Sequence, residues 1–178
     1  MSGRLSIRQP SRARTLLRSR AFTIVEAAIS TIIVAVMLVA ALTTVGASKT
    51  TQHKMALVCR GQLLAEALMA EILQQNYKEP VSTATFGYET GESATSRSAY
   101  DDVDDYDGWS ASPPTAKDGT TLDNSTNWKE TVIVDWTNPQ SPNQTSTTET
   151  GAKRITVTTY YKNMPQATLV AIKTVDWE

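Results

Sequence analysis

The sequence predicts an α+β protein: two helical segments, the first able to cross a membrane, followed by a head of antiparallel strands. Three observations predict it. An arginine-rich start runs into a long uncharged apolar stretch, a second segment repeats its apolar residues every three or four positions, and the last third holds three segments rich in β-branched and aromatic residues. With 178 residues there is room for one head domain of ordinary size plus an anchor.

The first segment divides the charge. The chain has 17 Lys+Arg and 18 Asp+Glu; six of those cations, Arg4, Arg8, Arg12, Arg14, Arg18 and Arg20, lie in residues 1–21, which hold no acid. The remainder carries 11 cations against 18 acids, a balance of −7. An acidic exterior repels polyphosphate, so no nucleic-acid binding is expected of the head. Residues 27–48 contain no charge, and 27–42 (AAISTIIVAVMLVAAL) are almost wholly apolar. As a helix these 22 residues would span about 33 Å, matching a hydrocarbon core of ~30 Å. Arginines before the span and none in it place the N-terminus in the cytoplasm and the head outside.

Three readings fit this segment. It resembles a secretory signal peptide with a small-residue site at Val45-Gly46-Ala47, although the apolar run exceeds the usual length and Glu26 sits where an acid is not wanted. It also fits a plain signal anchor. The third reading starts from Glu26, a carboxylate at the head of an apolar helix that calls for a partner. A cut between Ala21 and Phe22 would supply one, the new α-amine of Phe22, with Glu26 the fifth residue of the mature chain.

The string Arg20-Ala21-Phe22-Thr23-Ile24-Val25-Glu26 resembles the cleavage and methylation motif of type IV prepilins and type II secretion pseudopilins. Basic leader, small-Phe junction, acid at the fifth mature position and apolar helix coincide, over residues 20–45. The resemblance implies a leader of residues 1–21 removed after Ala21 by prepilin peptidase, N-methylation of Phe22, and pairing of Glu26 with the Phe22 amine of an adjacent pilin or pseudopilin subunit. It implies a subunit of the bacterial inner membrane, single-pass, with a periplasmic head that later joins an extracytoplasmic fibre. It also implies a pilin-like fold, one continuous helix over about 22–79 whose first half (22–45) is transmembrane and whose second half underlies a small antiparallel sheet in the head, 80–178. Ala21 departs from the usual glycine; alanine is still small, and slower cleavage is the expected consequence.

In the second helical segment Leu57, Gly61, Leu64, Leu68 and Ile72 recur on one face, broadened by Ala65 and Met69, a stripe suited to packing on a sheet. Arg60, Glu66, Glu71 and Gln74 fall largely off it, and Pro80 ends the helix. Residues 81–127 have loop composition with a short strand expected near 85–88. Strands are expected at 130–136 (ETVIVDW), 154–161 (RITVTTYY) and 168–177 (TLVAIKTVDW), the last two forming a hairpin through 162–166, with 138–150 a long exposed connection.

Chemistry is sparse. Cys59 and His53 are single residues of their kind, so neither a disulfide nor a Cys/His zinc site follows, and His53 reads as solvated. No nucleophile motif, phosphate loop or metalloprotease helix is present, so no enzyme is expected. The suggestive motif is YDDVDDYDGW at 100–109, five carboxylates in seven residues, whose repulsion a hard cation would relieve. Asp102, Asp104, Asp105 and Asp107 are the candidate calcium ligands, on a loop that lacks the EF-hand spacing. A loop of this composition resembles one in some pilin-like proteins, and calcium sites occur among pseudopilins. The preferred alternative is a solvated acidic turn pinned by Tyr106 and Trp109, with Asp104 and Asp105 held by backbone amides. Trp109, Trp128, Trp136, Trp177 and the tyrosines read as packing residues rather than a sugar- or partner-binding surface.

Overall fold

The computed structural model of the chain describes residues 22–79 and 86–175. The leader arginines, Ala21, Pro80, Thr85 and Trp177, on which the sequence reading drew, lie outside them. The layout is α+β: helix α1 (Ile24–Leu73) and a small five-stranded antiparallel sheet. Two compact units divide the chain, one ending at Ser48 and the other running Lys49–Glu178.

In the first unit the helix is apolar on every side. Ile24, Ile32, Val36, Leu38 and Leu42 are all more than half exposed, and none of the apolar window is buried within the chain. A helix hydrophobic all round is stable only where lipid or other helices surround it. This one is long and apolar enough to cross a membrane, as a transmembrane span or a signal anchor does. Its hydroxyls suit that setting: Thr31 donates to Ala28 O (2.8 Å), while Thr43 and Thr44 donate to Ala40 O (2.8 and 2.9 Å). Each meets a backbone carbonyl instead of requiring water.

In the second unit α1 buries Gly61, Ala65, Leu68, Met69 and Ile72, with Leu57 and Leu64 half-buried at its edge, so the stripe read from the sequence is the packed face. Fully burying Leu68 or Ile72 contributes about 1.5–3 kcal/mol each. The sheet runs β1 (Ser110–Ala111), β2 (Trp128–Asn138), β4 (Ala152–Tyr161), β5 (Met164–Thr174), with β3 (Ser141–Thr145) on β2. Val132 pairs with Val157 and Val134 with Ile155, and these in turn face Leu169 and Ala171 on β5. The period-2 alternation of side chains therefore sends one apolar row from three strands into the core. Tyr100, Val103, Tyr106 and Trp109 complete the core.

Three expectations change. The polar tract after β2 is no plain loop: Asn138 caps its own turn, accepting from Gln140 N (2.9 Å), and β3 folds back on β2. Buried Thr137 holds it, donating to Pro142 O and Gln144 O (2.9 and 3.0 Å). Second, β5 begins at Met164 rather than 168, because Lys162 and Asn163 (φ 50° and 63°) close a two-residue turn of the kind that matches strand twist. Pro165 is tolerated because β5 is an edge strand. Third, residues 86–88 form bends and coil, not strand.

Candidate functional site

At the N-terminus of α1, Thr23 caps the helix: Glu26 N–H donates to Thr23 Oγ1 at 3.2 Å. Thr-x-x-Glu is a capping-box spacing, legible in the sequence but obscured there by the cleavage motif it coincides with. The Glu26 side chain is exposed in the first turn, where the helix dipole favours an acid. Phe22 is exposed just before the cap. Ala21, the other half of the cleavage site, lies outside the described residues.

The acidic loop is not a solvated turn. Asp102, Asp104 and Asp105 are buried around a one-turn 3-10 helix at Asp104–Tyr106, where backbone amides and one lysine engage at least one oxygen of each. Asp105 Oδ2 accepts from the N–H groups of Asp101 and Asp102, both at 3.0 Å. Asp102 Oδ1 accepts from Asp104 N (2.8 Å) and Asp105 N (3.4 Å). Asp107 Oδ1 accepts from Val134 N (2.9 Å), tying the loop to β2. Asp104 accepts from Gly87 N (3.3 Å) and pairs with Lys153 Nζ, which also donates to Tyr77 O. Burial, and after it the neighbouring Asp104, holds the Asp102 carboxyl well above the ordinary carboxylate range, against the pull of Lys153.

The four candidate calcium ligands are thus engaged by different partners, with Asp102 and Asp104 within hydrogen-bond reach of each other. One of them, Asp105, joins an acidic group from a different turn: one oxygen each from Glu89, Glu92 and Asp105 lies within 4.8 Å of the others. Burial and the nearby Asp105 raise the pKa of Glu92, while an N–H from Glu89 offsets part of the effect. Loop composition in 81–127 hid this group, since Glu89 and Glu92 are distant in sequence from the Asp run.

A second buried cluster was also missed. Glu71, expected off the packed face, accepts both arms of the Arg97 guanidinium, Nε at 2.7 Å and Nη2 at 3.1 Å, and the Tyr106 hydroxyl at 2.9 Å. Arg97 also donates to Thr115 O (2.7 Å), stands 3.6 Å from Glu130 Oε1, and lies 5.1 Å from the Trp109 ring centroid. This planar, five-donor side chain joins α1, the Asp loop and β2. Burial pushes the Glu130 pKa up to about 7, with the Arg97 charge pulling the other way. An arginine in loop composition carries no sequence signal of burial; the bidentate partner exists only in the fold.

Among the remaining residues, His53 and Cys59 are exposed on α1. Trp109 and Trp128 are buried, the latter under the Arg60 guanidinium (5.7 Å to the ring centroid), and Trp136 meets Phe86 edge-on at 4.7 Å. No protein-family model, curated protein or solved structure matches the chain.

Proposed function

We propose that the chain is a minor pilin-like or pseudopilin-like structural subunit. It waits in the bacterial inner membrane with its N-terminus cytoplasmic and its head periplasmic until prepilin peptidase cuts between Ala21 and Phe22 and Phe22 is N-methylated. The apolar helix then leaves the bilayer for a bundle of like helices from other pilin or pseudopilin subunits. Glu26, too costly to desolvate alone, pairs there with the Phe22 amine of a neighbour. The work is assembly of a fibre serving secretion, adhesion or DNA uptake, with no substrate turnover.

One observation carries this reading: the Phe22–Glu26 motif stands at the first turn of a helix long and apolar enough to cross a membrane, none of whose apolar window is buried. A second reading, a secreted or membrane-anchored binding module with an ordinary signal peptide or anchor, is favoured by the unit boundary at Ser48/Lys49. That boundary falls beside the small-residue site Val45-Gly46-Ala47.

Mass spectrometry of the protein from its native membrane separates the two. The expected mature start is N-methylated Phe22, and Glu26→Ala is expected to be cleaved yet absent from sheared fibres. A start at Ser48 would replace the fibre reading with the secreted module, and an uncut chain would leave a signal anchor.

A further inference from the structure

We propose that Glu89, Glu92 and Asp105 form a calcium site that clasps the 89–92 turn to the buried Asp loop. The turn is built to present both glutamates on one side: Glu92 N–H donates to Glu89 O (3.2 Å), Gly91 takes φ 109°, and Glu89 N–H donates to Glu92 Oε2 (3.0 Å). Below them Asp105 is fully buried, and its orientation is fixed because two backbone N–H groups hold Oδ2. Its other oxygen, Oδ1, is buried with no hydrogen-bond donor among the described residues. A sealed carboxylate oxygen without a donor is costly, and in native structures such an atom asks for an ion or water. Lys153, the ammonium buried against this loop, does not answer it, being taken by Asp104 and Tyr77 O.

The geometry and donor set suit a hard cation. Calcium holds oxygens at about 2.3–2.6 Å, so two of its ligands stand at most roughly 5 Å apart, and the three oxygens here lie within 4.8 Å of one another. All donors are carboxylate oxygens, the chemistry calcium prefers to transition metals. Glu89 and Glu92 are half-buried rather than sealed, so the ion can enter and water can complete six to eight positions. The inference does not rest on cleavage or assembly of the chain.

Calorimetric titration of the full chain in detergent, stripped of metal with a chelator, tests it. One calcium per chain is expected, with a Kd of about 10⁻⁴–10⁻³ M as in extracellular modules. Calcium is also expected to raise the unfolding temperature, since the ion binds the folded chain alone. Glu89→Gln and Glu92→Gln, on the accessible turn, keep side-chain shape; each should weaken binding roughly ten-fold or more, as loss of a charged ligand does. The double variant should lose the thermal response while unfolding at or above the wild-type temperature in chelator, since it also removes the repulsion among the three carboxylates. Asp105→Asn is less useful, because Asp105 also organises the loop. No saturable heat and no thermal shift up to about 10 mM calcium, well above that range, would overturn the site. Calcium binding by the double variant as tight as wild type would do the same.

Discussion

Glu130 lies on the core face of β2 with 2% of its surface exposed, and its Oε1 has Arg97 at 3.6 Å but no hydrogen-bond donor. Burial there disfavours the charged form more than Arg97 favours it, so the folded-state pKa is about 7 against an ordinary 4.5. A raised carboxyl contributes stability that is fully present below about pH 4.5 and is lost as pH rises through about 7. Glu130→Gln, which stays neutral, should match wild type at pH 5 and exceed it at pH 8 by roughly 2 kcal/mol. Urea unfolding at the two pH values checks this; an identical pH dependence in both proteins would mean that Glu130 is ionised throughout. Arg97 shows the same economy of position: one side chain satisfies Glu71 and Thr115 and covers Trp109, so its role depends on partners 18 and 26 residues away in sequence.

At the scale of elements, the contact between α1 and the sheet depends on Gly61. A methyl group there would lie 2.7 Å from Gln166 Cβ, 3.0 Å from Thr159 Oγ1 and 3.2 Å from the Trp128 ring, while Thr159 already donates to Gly61 O at 3.0 Å. Gly61→Ala would gain about 1 kcal/mol of helix propensity. The clash with β-strand atoms outweighs it, because those atoms are not the free ends of flexible side chains. A net loss of about 1–3 kcal/mol is expected, read from thermal unfolding. A stabilised variant would show that helix and sheet can separate without penalty. Gly61 was legible as a member of the helical stripe through Leu57, Leu64, Leu68 and Ile72. Its function as the point of closest approach was not, because that distance is set by β4 and β5. The strands themselves were legible from their β-branched cores, with ends up to four residues off; β3 was not, since SPNQT has no aliphatic signal and owes its place to Thr137.

For the whole molecule, the helix near the N-terminus is long and apolar enough to cross a membrane. The full chain should stay with membranes through alkaline carbonate extraction. Leu38→Lys, costing about 2.5–3.5 kcal/mol if the residue sits at the bilayer centre, should shift a measurable share to the soluble fraction. Recovery of wild type in the supernatant would deny the span. The length and apolarity of residues 27–48 are legible by themselves, because they are properties of a local run, and the Phe22–Glu26 string is likewise local. So are the 3.6-residue stripe of α1 and the β-rich final third, each written by nearest neighbours in sequence. Tertiary structure decided the rest: which carboxylates are buried, which cation meets them, and that Asp105 converges with Glu89 and Glu92 rather than with Asp102, Asp104 and Asp107. Buried charges are placed by partners far along the chain. The amides and cations that make their burial tolerable come together only when helix, loop and sheet have closed on one another.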